Sequence, residues 1–312
     1  MPRPTSPRFR HAPALTLRVA LPLVAALALL APSAPLVAQA PVLVGADWLR
    51  SHRADPGLVL LHVAMVHQRP PTEFIEGARV LDYMVFADEA DGLSVQIQPV
   101  ERMVEALRAA GVSNDSRVIV YGDPLLAARI VMTLDYLGHG DHTSYLDGGL
   151  AAWKSGGGPV SAEAAAAARP GTFEPNVRTD LVVDADWIHT RLDDPSVSLV
   201  DARPEDEYTG ARRPGELRAG HIPGAYNLYW EDLIVSRDNP VLRTLDEVRA
   251  RYAASGAEAG GTVVSYCYIG MRASYAWMIS KHLGYDARFY DGSWDEWARR
   301  TDLPAVEGKE RR

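Results

Sequence analysis

Thr262 to Trp277 reads TVVSYCYIGMRASYAW and holds the only cysteine among 312 residues. Thr262-Val263-Val264 is a β-branched run suited to a buried strand, and Ala273 to His282 carries apolar residues at helical spacing. Cys267 therefore falls where a strand turns into a helix. The first N–H groups of a helix have no internal partner, so an anion is favoured there and a thiol is favoured as thiolate. Gly270 lets such a loop curl tightly, and Arg272 adds a fixed positive charge. The competing reading of Cys267 is a buried core cysteine, the common fate of a free thiol.

Outward from this stretch, a chain with 47% hydrophobic residues is long enough for two domains, each with its own core. Residues 1–40 stand apart as a signal-peptide pattern: Arg3, Arg8, Arg10 and Arg18 form a basic head, Val19 to Ala31 is apolar, and small residues lead to Ala38-Gln39-Ala40. This predicts export to the periplasm or beyond, with no stable membrane span after removal. Losing those four arginines and no acid takes the net charge from −8 to −12, which argues against a nucleic-acid partner. One cysteine also excludes an internal disulfide and a two-cysteine exchange mechanism, and leaves open a covalent adduct on one sulfur.

The remaining chain alternates strands and helices in the manner of a parallel sheet covered on both faces. Leu58 to Val63 and Arg117 to Tyr121 are buried-strand runs, while Gln98 to Gly111 and Leu125 to Gly138 are helices ending on glycine. Residues 156–180, rich in glycine, alanine and proline, read as a surface linker between domains 41–155 and 181–302, with 303–312 as a tail. The second domain repeats the first. Ala185-Asp186-Trp187 echoes Ala46-Asp47-Trp48, Thr262 to Tyr266 echoes Arg117 to Tyr121, and Tyr290-Asp291-Gly292 echoes Leu146-Asp147-Gly148. Where the second copy has Cys267, the first has Tyr121-Gly122-Asp123.

Asp201-Ala202-Arg203 with Tyr208 and Gly210, Gly220 to Ala225 (GHIPGA), Cys267 to Arg272 (CYIGMR) and Tyr290 to Trp297 (YDGSWDEW) form one set. In these motifs residues 42–302 resemble the tandem-domain rhodaneses, the thiosulfate and 3-mercaptopyruvate sulfurtransferases. The resemblance implies two rhodanese-like α/β domains, of which the first is inactive. It implies that Cys267 takes a sulfane sulfur as persulfide from a small anionic donor and passes it to cyanide or a thiol, without a cofactor or metal. Backbone N–H groups of Tyr268, Ile269, Gly270, Met271, Arg272 and Ala273 would cradle the donor. Asp201 and Arg203 are expected as a bracing buried pair, His221 as a turn-fixing residue or a base, and Trp294 as packing or pocket wall.

Two departures bear on the donor. Tyr268 and Glu207 stand where relatives carry arginines, so Arg212, Arg213 or Arg218 would have to reach in for a dianion to be held as tightly. The first copy has His62 in place of the usual acid and lacks His-Ile-Pro, which fits a structural half walling the cleft. Rival readings are a non-catalytic persulfide carrier for an exported partner and a rhodanese-fold phosphatase or arsenate reductase. The latter need five residues between Cys and Arg, and Cys267 and Arg272 have four between them. His139-Gly140-Asp141-His142 offers metal-ligand types, but its place in a helix-to-strand turn fits a solvated turn better.

Overall fold

A computed structural model describes residues 1–2 and 40–312, apart from 168, 214 and 259. The export signal expected over 1–40 lies, but for its edges, outside the described residues. Strands β1 (Leu43–Val44), β2 (Leu58–Ala64), β3 (Phe74–Ile75), β4 (Arg79–Asp82), β5 (Ala87–Ala90), β6 (Leu93–Ile97), β7 (Arg117–Gly122), β8 (Thr143–Leu146) and β9 (Val160–Ser161) make up the first half. Its helices are α1 (Ala46–His52), α2 (Val100–Ala109), α3 (Pro124–Tyr136) and α4 (Gly149–Ser155). The second half has β10 (Val182–Val183), β11 (Val197–Asp201), β12 (Tyr226–Asn227), β13 (Thr262–Tyr266) and β14 (Asp286–Tyr290). Its helices are α5 (Ala185–His189), α6 (Glu205–Tyr208), α7 (Leu245–Ala254), α8 (Met271–His282) and α9 (Ser293–Arg299).

Each half is built on a five-stranded sheet, ordered β1-β8-β7-β2-β4 in the first and β10-β14-β13-β11-β12 in the second. All neighbours in both are parallel, so every connection is a crossover and helices must cover both faces. The strand runs alternate accordingly. Leu60, Ile119 and Tyr121 join an outer core with Leu49 of α1 and Trp153 of α4. Leu199, Val264 and Tyr266 do the same with Ile188 of α5 and with Trp294 and Trp297 of α9. The alternate residues Leu61, Val118, Val120, Val200 and Val263 enter one core that both halves share.

The shared core is where α3 and α8 meet. Leu126 through Asp135 of α3 and Ala273 through Ser280 of α8 are buried all round, which explains their lack of a polar stripe. Asp135 ties the pair: it accepts from Lys281 Nζ at 2.5 Å and from Arg178 Nη1 at 2.8 Å. The two central strands end alike. Tyr121 Oη accepts the Ile75 N–H at 2.9 Å, and Tyr266 Oη accepts the Ile222 N–H at 3.2 Å.

Several expectations change. Residues 156–180 are more than a surface connector: β9 pairs antiparallel with β3, and Phe173 is buried against Val112. Residues 303–312 are stitched to the second half through Val306, whose N–H and C=O both pair with His221. The turn after His139 is solvated as expected, with Asp141 exposed, but His139 itself is not. His139 is 1% exposed, with Nε2 donating to the Ser113 carbonyl and Nδ1 paired with Thr143 Oγ1. Burial pushes its pKa down to about 4.

Candidate active site

The strand β13 ends at Tyr266, and the chain from Cys267 to Gly270 bends into α8 through Gly270 at φ 85°. That left-handed conformation requires glycine, and a Cβ there would also lie 2.9 Å from Arg129 Nη1 and 3.3 Å from the Phe289 ring. The loop is pinned from behind by the start of α9. Cys267 N–H donates to Ser293 Oγ at 3.2 Å, its carbonyl accepts from Trp294 N–H at 2.9 Å, and the Tyr268 carbonyl accepts from Asp295 N–H at 2.9 Å. Ser293 holds φ 52°, a rare conformation for a residue with a side chain, and its hydroxyl donates to the Tyr290 carbonyl. With the loop's carbonyls taken up behind it, the N–H groups of Tyr268, Ile269, Gly270, Met271, Arg272 and Ala273 find no acceptor among the described residues. Six consecutive N–H groups next to Cys267 are thus left available to an anion, as in a cradle at a helix start.

The cradle is closed in this structure, since Cys267 is 1% exposed. Its own cation is committed. Arg272 Nη1 lies 3.1 Å from both oxygens of Glu207, a carboxylate only 3% exposed that also accepts from Arg212 at 2.8 Å. Glu207 therefore neutralises the loop's arginine. Arg212 and Arg218 do not reach in as free charges. Arg212 is held by Asp206 and Glu207, and Arg218 donates to the carbonyls of Trp297, Ala298, Arg300 and Leu303. Arg213 is exposed.

Asp201 and Arg203 form a fully buried pair, with contacts of 2.6 to 3.0 Å, and Arg203 also donates to the Gly220 carbonyl at 2.8 Å. The guanidinium lies 4.8 Å over the Trp294 ring, which is buried behind the loop, so Trp294 packs and does not wall an open pocket. The His221 ring stacks on Tyr208 at 3.7 Å and its Nδ1 pairs with the Tyr208 carbonyl, a bracing role in which burial lowers its pKa.

In the first half, the matching strand ends open a cleft of about 380 Å³ lined by His62, Met65, Arg69, Asp123 and Leu126, and reaching Met271 at the start of α8. Burial pushes the His62 pKa down to about 4, so it lines this cleft neutral. Asp123, in the stretch that matches the Cys267 loop, and Met271 of that loop's helix thus line one cleft.

Three contributors escape sequence reasoning. The hairpin β5–β6 crosses to the second half, where Ile97 N–H donates to Asp291 Oδ2 at 2.8 Å and Ser94 N–H to Asp295 at 3.4 Å. Its signal is present: Asp91-Gly92, both at positive φ, with alternating Leu93-Ser94-Val95-Gln96-Ile97 after it. Arg129 of α3, fully buried, donates to Asp291 Oδ1 at 2.6 Å and to the Val95 carbonyl at 3.2 Å. Tyr83 is buried with its hydroxyl unpartnered.

A rhodanese-like domain model matches residues 184–300. The chain is 32% identical over 286 residues to the sulfur carrier protein TtuD of Thermus thermophilus, covering 86% of this chain and 98% of that protein. It is 30% identical to the 3-mercaptopyruvate sulfurtransferase of Escherichia coli K12, over 84% of this chain and 96% of the relative. Among solved structures, the crystal structure of YnjE superposes with a TM-score of 0.75 at 24% identity, covering 86% of this chain and 68% of that one. That last likeness is one of fold.

Proposed function

The chain belongs to the tandem rhodanese sulfurtransferases, and from that premise we propose that it moves a sulfane sulfur from thiosulfate through a Cys267 persulfide to cyanide or a thiol. The Cys267 thiolate would attack the outer sulfur of thiosulfate. A new S–S bond forms, the old one breaks, and its electron pair leaves with sulfite. The persulfide then gives its terminal sulfur to the acceptor and returns as thiolate. The observation carrying this reading is that the six N–H groups following the chain's only cysteine have no acceptor among the described residues, which favours the anionic donor and the persulfide alike.

Thiosulfate is favoured over 3-mercaptopyruvate by charge. A small tetrahedral sulfonate suits the N–H groups at a helix start, and Arg272 and Arg212, both bound to Glu207, are not free to form the bidentate pair that a planar carboxylate takes best. No helix among the described residues is long and apolar enough to cross a membrane, and the export reading of residues 1–40 completes the proposal as a sulfurtransferase acting outside the cytoplasm.

A second reading, a persulfide carrier, draws on the Thermus relative's name and on the shielding of Cys267. One assay separates the two. With thiosulfate and cyanide in excess, a transferase releases thiocyanate over many turnovers and a carrier releases one equivalent. Parallel rates with 3-mercaptopyruvate decide the donor, and equal or faster turnover with it overturns the thiosulfate assignment.

A further inference from the structure

Arg129 belongs to the half without a cysteine, yet its guanidinium lies against the cysteine loop. Nη1 is 2.9 Å from where a Cβ on Gly270 would stand. The residue is 0% exposed, and only Nη2 has acceptors, Asp291 and Val95. Nε and Nη1 are buried with no partner. The Phe289 ring lies 4.9 Å from the guanidinium carbon, which attracts the charge but takes no in-plane hydrogen bond. Arg203 also keeps one unpartnered nitrogen, but it is bound to both oxygens of Asp201 and stacked on Trp294.

Buried cationic N–H groups left without acceptors are costly, and a fold retains them where ordered water or a ligand supplies the acceptor. The charge reaches the site's other groups. The Tyr83 hydroxyl, also unpartnered, has its pKa pushed up to about 12, first by burial, with Arg129 opposing and both Asp291 and Cys267 adding. Arg272 is paired with Glu207 and Arg129 with Asp291, but Arg129 is the fully buried guanidinium against the loop, and its Nε and Nη1 have no partner among the described residues.

We propose that Arg129 binds the oxyanion end of the sulfur donor, so that the half lacking a cysteine supplies a buried guanidinium to the Cys267 loop. This rests on the sulfurtransferase reading. As the donor's S–S bond breaks and its electron pair leaves with sulfite, the negative charge on the leaving group grows beside the unpartnered edge of Arg129. Attachment to Asp291 through Nη2 keeps that edge facing Gly270.

The test reads binding apart from transfer. Calorimetry measures the thiosulfate Kd on a Cys267→Ser background, which takes up no sulfur, for Arg129→Gln and separately for Asp291→Asn. Both changes end the Arg129–Asp291 ion pair, but only the first removes the cation, and the amide oxygen introduced by Asp291→Asn can still accept from Nη2 and hold the edge in place. Loss of charge-assisted hydrogen bonds predicts a Kd about 10- to 100-fold higher for Arg129→Gln. Asp291→Asn leaves the guanidinium less neutralised and should lower Kd. If both variants weaken binding alike, or Arg129→Gln leaves Kd unchanged, Arg129 is a strut between halves and the proposal fails. Should Arg129→Gln not fold, Asp291→Asn decides alone: tighter binding supports the proposal and weaker binding overturns it. Failure of the parent reading shows separately, as no sulfur gained by unmutated Cys267.

Discussion

Asp201→Ala removes the carboxylate that compensates Arg203 where neither side chain has any exposure to water. Four hydrogen bonds go at once: the Arg203 N–H to Oδ1 and the guanidinium contacts of 2.6 to 3.0 Å. The guanidinium keeps the Gly220 carbonyl and the Trp294 face, but neither carries a countercharge. Breaking a fully buried pair by deleting one partner costs about 3–5 kcal/mol, a large share of the ~5–15 kcal/mol by which folded proteins are stable. At a urea dependence of about 3 kcal/mol/M, the midpoint should fall by about 1–1.7 M. Urea titrations followed by far-ultraviolet circular dichroism provide the assay, with Asp201→Leu/Arg203→Met as control. Replacing both charges with apolar groups should restore most of the loss, because the expense lies in the orphaned charge. A single-variant midpoint within ~0.3 M of the parent's would refute the bracing role.

Three further outcomes are expected. Ser293→Ala deprives the buried Cys267 N–H of its acceptor and should cost about 1–3 kcal/mol in urea while slowing sulfur uptake, measured by stopped-flow; unchanged uptake would separate α9 from the loop's geometry. His139, with a folded pKa of about 4 against the ordinary 6.5, is left unprotonated in the fold over a range where the unfolded chain takes a proton. Its contribution, full above pH 6.5, should drain away as pH falls from 6.5 towards 4, and His139→Gln should flatten the urea midpoint between pH 6.5 and 5; an equally steep fall in the variant counts against this. Asp135→Ala removes the shared partner of Lys281 and Arg178 between α3 and α8 and should lower stability by about 2–4 kcal/mol, while a neutral result would show that this cluster does not hold α3 to α8.

The fold is legible in the sequence where residues face apolar surroundings on both sides. Leu58 to Val63, Arg117 to Tyr121 and Thr262 to Tyr266 are continuous apolar runs because helices cover both faces of each sheet, and the like motifs in the two halves show a common plan. The cysteine loop is legible too, since Gly270 and the strand-to-helix change fix its shape locally. What escapes is long-range pairing. Nothing near Arg272 announces that Glu207, 65 residues earlier, will consume its charge. Arg129 had a signal of its own: it interrupts Leu125 to Leu134, a helix with no polar face to hold a cation, so it had to find a buried partner. His139 misleads for the reverse reason, because polar spacing in a turn resembles solvation, while Phe173 from the supposed connector packs edge-on against it.

The most direct measurement is intact mass spectrometry of the protein after brief exposure to thiosulfate, with Cys267→Ser alongside. Sulfur transfer through Cys267 predicts a gain of one sulfur atom on the parent, lost on adding cyanide, and no gain on the variant. A parent chain that takes up no sulfur from thiosulfate or from 3-mercaptopyruvate would contradict sulfur transfer through Cys267.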